Sequence, residues 1–168
     1  CHARQDIAIS WNAAEPGQPA FEKNPGRWAA TPKFRFQLHH ELEKKLTDLA
    51  AWGETAPRFM NEGVSGPIAV VTSGVAAAHT REIVKDLGLW QRLPLYQVVQ
   101  PYPLHPAFVD LLRSRYERVL VIEETVGVIE MQISGAVPVL GKGSGTVGRV
   151  GELTPEAIET VIRQVSGI

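Results

Sequence analysis

From residue 67 onward the chain alternates short, continuous apolar runs with stretches of helical spacing, and this alternation constrains its fold more than any other feature. The runs are Pro67-Ile68-Ala69-Val70-Val71-Thr72, Leu95-Tyr96-Gln97-Val98-Val99, Val119-Leu120-Val121-Ile122 and Val137-Pro138-Val139-Leu140. An apolar run without polar alternation is how a strand reads when helices cover both of its faces. Between and after the runs lie helical stretches: one opened by Ser73-Gly74 and ending Asp86-Leu87-Gly88, then Pro106 to Tyr116, Val126 to Ser134, and Pro155 to about Val165. Strands separated by helices pair in parallel through right-handed crossovers. The expected fold is α/β, a three-layer α/β/α domain with a mostly parallel sheet, over residues 65–168.

The end signals agree. Thr154 before Pro155 and Glu156 offers a hydroxyl cap, a preset first-turn φ and a negative charge at the positive end of the helix. Gly88 and Gly135 fall where the preceding helices need a residue tolerant of positive φ.

Upstream the pattern differs. Phe34, Leu38, Leu42, Leu46 and Leu49 recur at three- and four-residue spacing between charged residues, which predicts one amphipathic helix over 32–52, capped at Thr31-Pro32 and ending near Gly53. Before it, an Ile7-to-Ile9 run and the stretch Ala13-Ala14-Glu15-Pro16-Gly17-Gln18-Pro19-Ala20 read as an N-terminal linker, with residues 1–32 extended and loosely docked. The expected organisation is a linker over 1–31, a connector helix and loop over 32–64, and the α/β domain over 65–168.

Composition narrows the partners. The 168 residues suffice for one sizeable core. Lys+Arg number 17 against 18 Asp+Glu, a net charge of -1, so the chain lacks the basic field that binding to phosphate backbones needs, which argues against nucleic acid. No apolar run approaches the roughly 20 residues that span a bilayer, and the residues from Cys1 onward do not show the charged and apolar regions expected of a secretory signal. The expectation is a soluble, cytoplasmic protein with no membrane partner. Cys1 is the sole cysteine, which excludes an internal disulfide, a multi-thiolate zinc site and an iron–sulfur cluster held by this chain's own cysteines. A chain opening Cys-His-Ala-Arg in place of Met is expected to have been cut from something longer.

Motifs that could carry chemistry are sparse. Gly143-Ser144-Gly145-Thr146-Val147-Gly148 has GxGxxG spacing, but a dinucleotide fingerprint must join strand directly to helix, and here the helix starts only at Pro155. Gly141-Lys142 lacks the upstream glycine and the following Ser or Thr of a Walker loop. The segment reads as a flexible surface loop carrying Lys142. Thr72-Ser73-Gly74, at the carboxyl end of the first core strand, could present amides and hydroxyls to an anion, or could simply cap the next helix. His39-His40-Glu41 lacks the second His of a helical zinc site, because position 44 is Lys. His79 and His105 have no evident acid or nucleophile partner and read as surface or capping residues. Glu123-Glu124 could serve acid–base chemistry, cap the next helix, or meet a base such as Arg118. No catalytic residue and no metal ligand is expected in this chain.

Ordered local sequences carry a resemblance. Ile68-Ala69-Val70-Val71-Thr72-Ser73-Gly74-Val75, Pro101-Tyr102-Pro103-Leu104, Arg118-Val119-Leu120-Val121-Ile122-Glu123-Glu124 and Arg149-Val150-Gly151-Glu152-Leu153-Thr154-Pro155-Glu156 resemble the second domain of the indolepyruvate ferredoxin oxidoreductase alpha-subunit family. This is the transketolase carboxy-terminal-like domain of 2-oxoacid:ferredoxin oxidoreductases. Cys1-His2-Ala3-Arg4 is similar to the exit from that family's preceding domain, and Asn24-Pro25-Gly26-Arg27-Trp28 with the His39-His40-Glu41-Leu42 helix is similar to its connector. Departures occur at Ala76-Ala77-Ala78, Thr125-Val126-Gly127 and Glu130-Met131-Gln132, which leave indolepyruvate, a related aryl-pyruvate or another 2-oxoacid equally compatible.

The resemblance implies a parent enzyme that decarboxylates a 2-oxoacid on thiamine diphosphate with Mg, passes electrons through [4Fe-4S] clusters to ferredoxin and forms an acyl-CoA. Its partners would be the other domains of the same subunit and a second subunit type. This chain has no Gly-Asp-Gly with paired asparagines for the magnesium diphosphate, so the implied role is a non-catalytic assembly domain. The competing expectation is a free-standing anion- or phosphate-binding module. It would use Thr72, Ser73 and Gly74 for the anion or CoA contact, with Lys142 or Arg149 as counter-charge. A hydrolase is excluded, since the turn lacks a Gly-x-Ser-x-Gly elbow.

Overall fold

The computed structural model describes residues 21–28, 31–124 and 126–168. The chain divides into two units, Cys1–His40 and Glu41–Ile168. In the first, a single turn, α1 (Pro25–Trp28), precedes the start of α2 (Pro32–Ala50). That turn departs from the extended chain expected over 1–32; residues 21–24 carry no regular structure, and residues 1–20, with the Cys1-His2-Ala3-Arg4 likeness, lie outside the described residues. The α2 helix begins at the expected proline, with Phe34 N and Arg35 N both donating to Thr31 O at 3.0 Å, and ends two residues before the expected stop. Among the described residues its apolar stripe is only partly covered, with Phe34, Leu38 and Leu46 half-buried. No residue of α2 is buried, and Leu42 and Leu49 remain exposed.

The second unit is built on a five-stranded sheet of order β1-β3-β2-β4-β5, with β1 (Arg58–Phe59), β2 (Ile68–Ser73), β3 (Leu95–Val98), β4 (Arg118–Ile122) and β5 (Val139–Leu140). The pairs β2·β3, β2·β4 and β4·β5 are parallel, in register Val70↔Leu95, Val70↔Leu120 and Val119↔Val139. Pleat alternation sorts the core into two halves. Val70, Leu95, Leu120 and Ile122 face Ala76, Ile83 and Val84 of α3 (Gly74–Asp86) and Ile158 and Ile162 of α6 (Pro155–Ser166). Ala69, Val71, Tyr96, Val119 and Val121 face Phe108 and Leu112 of α4 (Pro106–Arg115) and Ile129 and Ile133 of α5 (Val128–Ile133). The three-layer, mostly parallel α/β fold is therefore as expected, because strands buried on both faces admit only apolar side chains on both parities.

Strand β1 was not anticipated. It pairs antiparallel to β3 through Arg58↔Gln97 and Phe59↔Tyr96, inside a segment that reads as loop. Tertiary contacts hold this two-residue edge: Phe59 stacks on Tyr96 with centroids 4.6 Å apart, and Tyr96 shares a 2.7 Å hydroxyl hydrogen bond with Tyr116. Beside it the buried Asn61 donates to Trp90 O and Leu93 O and accepts from Leu95 N, so its amide replaces a missing strand neighbour. The helix ends follow the sequence signals. Thr154 Oγ1 accepts from Ala157 N at 3.3 Å, and Gly88, at φ +68°, closes α3 with its N–H on Lys85 O.

Connections leave β2 toward β3 on one side and β4 toward β5 on the other. The switch point therefore lies between the carboxyl ends of β2 and β4, where ligands of open α/β sheets bind. Among the described residues no helix is long and apolar enough to cross a membrane.

Candidate functional site at the carboxyl ends of the strands

Thr72, Ser73 and Gly74 stand at the switch point. Thr72 is fully buried and its hydroxyl has no hydrogen-bond partner among the described residues. Ser73 occupies the N-cap of α3 in extended conformation, yet its side chain makes no capping bond, and Gly74 follows at φ +58°. The hydroxyl thus does not cap this helix, leaving its first-turn amides without a side-chain acceptor.

Glu123 follows β4. It is 4% exposed, and its two carboxylate oxygens accept from Ile129 N and Glu130 N, each at 2.8 Å. Of the roles open to it in the sequence, capping the next helix is the one it performs; its oxygens meet amides and not Arg118. Burial pushes the carboxyl above the usual carboxylate range; the two amide bonds pull it back, the neighbouring Glu130 raises it and Lys142 lowers it.

Glu130 repeats the arrangement one layer out. Its carboxylate accepts from Lys142 N and Gly143 N at 2.8 Å each. Successive backbone amides converging on one carboxylate form an anion nest, and the nest is filled from within the chain. The approach is close enough to demand glycine: a Cβ on Gly141 or on Gly143 would lie 2.7 Å from a Glu130 oxygen. The glycine spacing here brings backbone up to an internal carboxylate, not to a dinucleotide.

This corrects the reading of the segment as a flexible surface loop carrying Lys142. Lys142 is only 8% exposed, and its ammonium donates to Gly148 O at 3.0 Å. Arg149 Nε donates to Lys142 O at 2.9 Å, and Val147 N to Gly141 O at 3.0 Å, so the loop closes on itself. Lys142 and Arg149 line a cavity of about 410 Å³ with Val126, Gly127, Glu130 and Met131; Thr72, Ser73 and Gly74 do not belong to it. The structure therefore does not bring the expected counter-charges and the Ser-Gly turn into one cavity.

The histidines divide. His39 and His40 are exposed on α2, and His79 is half-buried on α3. His105 is buried, not on the surface, and stands at the N-cap of α4 without a side-chain capping bond; its ring nitrogen Nε2 lies 3.3 Å from Thr55 Oγ1. Thr55 in turn donates to Gln100, whose amide donates to Leu49 O and Pro103 O; Gln132 donates to Pro101 O and Val128 O and accepts from Leu104 N. These side chains fix the loop after β3, including its cis Tyr102-Pro103 peptide. Thr55, Gln100, His105 and Gln132 are scattered along the chain and carry no local signal, so sequence reasoning passed over this network.

Among the described residues no three His, Cys, Asp or Glu side chains are grouped to hold a metal ion, and both oxygens of each buried acid, Glu123 and Glu130, are engaged by backbone amides. The residues present do not fit a magnesium-bound diphosphate.

No family model matches the chain. Curated relatives do. The chain is 26% identical over 175 residues to the indolepyruvate oxidoreductase subunit IorA of Methanothermobacter thermautotrophicus, covering 99% of this chain and 28% of that protein. It is 24% identical to the same subunit of Archaeoglobus fulgidus over 88% of its length and 25% identical to that of Pyrococcus horikoshii over 85%. It spans about a quarter of the length of these relatives. Among solved structures, a split-gene transketolase in an inactive beta4 tetramer superposes with a TM-score of 0.50 at 15% identity, over 67% of this chain and 42% of the other, a likeness of fold. Over nearly its whole length the chain is similar to one segment of the indolepyruvate oxidoreductase subunit IorA, and its α/β fold is similar to that of a transketolase.

Proposed function

We propose that this chain is the assembly domain, itself non-catalytic, of a thiamine-diphosphate-dependent 2-oxoacid:ferredoxin oxidoreductase acting on indolepyruvate or a related aryl-pyruvate. The observation that carries the reading is the engagement of the buried acids by backbone amides. Glu123 and Glu130, the groups best placed for proton transfer or metal ligation at the carboxyl ends of the strands, spend all four oxygens on backbone amides. Each of those oxygens holds a backbone amide of a loop or helix start, so both acids act in the fold of the strand ends. Thiamine diphosphate, Mg and [4Fe-4S] clusters then belong to other parts of the cytoplasmic parent, as do the contacts with CoA and ferredoxin. This domain contributes packing against the rest of its subunit and against a second subunit type.

One observation favours a second reading, an anion or CoA contact at Thr72-Ser73-Gly74 without the Lys142 counter-charge: the uncapped start of α3 at the switch point, beside the unpartnered Thr72 hydroxyl. Calorimetry of the 168-residue chain separates the two. Titration with magnesium–thiamine diphosphate and, separately, with CoA should release no saturable heat if the domain only assembles. Saturable CoA binding abolished by Ser73→Pro would establish the second reading, and thiamine diphosphate binding would overturn both.

A further inference from the structure

The cavity beside the closed glycine loop brings apolar and charged side chains together in one lining. Its floor is the Glu130 carboxylate, already held by two amides; its rim carries Val126 and Met131, 65% and 66% exposed, and the guanidinium of Arg149. The two apolar side chains and the guanidinium line the same opening. Arg149 is fixed through Nε on Lys142 O, while its two terminal nitrogens have no partner among the described residues. A guanidinium anchored at Nε presents the remaining edge as a planar fork, the geometry that takes a carboxylate with two parallel hydrogen bonds. The volume, about 410 Å³, falls in the range of small-molecule sites.

We propose that this cavity is a binding site for a small organic carboxylate with an apolar substituent, the carboxylate on Arg149 at the mouth and the apolar part over Val126 and Met131. The Glu130 charge on the floor sets that orientation, because it repels an anion that enters carboxylate-first, while its two amide donors keep the carboxylate from claiming Arg149 itself. Phosphate alone satisfies the guanidinium but leaves the apolar rim wet. The site stands apart from the Thr72-Ser73-Gly74 turn and does not depend on the assembly reading.

The test uses the 168-residue chain and benzoate as probe, with acetate, inorganic phosphate and benzyl alcohol as controls, followed by calorimetry and by amide chemical shifts of Gly127 and Gly143. Benzoate should bind saturably and at least about tenfold more tightly than each control, and more weakly as salt screens the guanidinium. Arg149→Leu, at an exposed position, should weaken benzoate about tenfold or more, and Met131→Trp should block it by filling the rim. The proposal is overturned if benzoate gives no saturable shift, if acetate or benzyl alcohol matches it, or if Arg149→Leu binds as the parent chain does.

Discussion

Replacing Glu123 by alanine tests the account of the strand ends most directly. The carboxylate is buried and accepts two backbone N–H groups at 2.8 Å, from Ile129 and Glu130. Its removal strands two buried donors, each costing about 1–3 kcal/mol when left unpaired. Part of that loss is returned, because the ionised carboxylate is itself held against burial and beside the Glu130 charge. The net expectation at neutral pH is a destabilisation of about 2–4 kcal/mol. With a urea dependence of about 1–3 kcal/mol/M, the unfolding midpoint followed by circular dichroism should fall by about 1–2 M. The pH dependence has a definite sign. Glu123 holds its proton in the folded chain at pH values where the unfolded chain has already lost it, since the folded value is raised from 4.5. Its contribution is therefore greatest below pH 4.5 and declines as pH rises through the folded value. Glu123→Ala should remove that decline. A midpoint shift equivalent to less than about 0.5 kcal/mol, the range of ordinary surface substitutions, would refute the claim that this carboxylate holds α5.

Other perturbations read separate parts of the structure. Gly143→Ala should destabilise the parent chain by about 1–3 kcal/mol through the close approach of Glu130, and much less in a Glu130→Ala background; a double-mutant cycle with coupling near zero would contradict the nest. Thr154→Ala should cost about 1 kcal/mol in chemical denaturation, through loss of the α6 cap. Tyr116→Phe should cost about 1–2 kcal/mol, because it leaves the Tyr96 hydroxyl without its buried partner, and near-ultraviolet circular dichroism should report the altered aromatic cluster. Ile158→Ala, deep between α6 and the sheet, should cost about 2–5 kcal/mol.

Much of the fold was legible because its signals are local. The runs at 68–72 and 119–122 are apolar on both parities, and only a strand sandwiched between helical layers tolerates that. Thr154-Pro155-Glu156 states a helix start within three residues, and the Leu38-to-Leu49 spacing states α2. Whether the α2 stripe is covered is a separate matter that periodicity does not address, and its leucines are in fact left open or half-open.

The site was legible only in part. Glu123 could be recognised as a strand-end acid with a capping role among its options, since its targets lie six and seven residues ahead. Glu130 could not, because its donors come from a loop twelve and thirteen residues away, across β5. The glycines at 141 and 143 announce that backbone must approach something closely, but spacing is silent on whether that is a cofactor phosphate or the chain's own carboxylate. The burial of His105 and the antiparallel β1 edge belong to the same class. Propensity, period and capping act over one or two turns of chain and so are written locally, whereas the partner of a buried charge or of a two-residue edge strand is chosen by packing between distant segments, where desolvation makes an unpaired group too costly to leave.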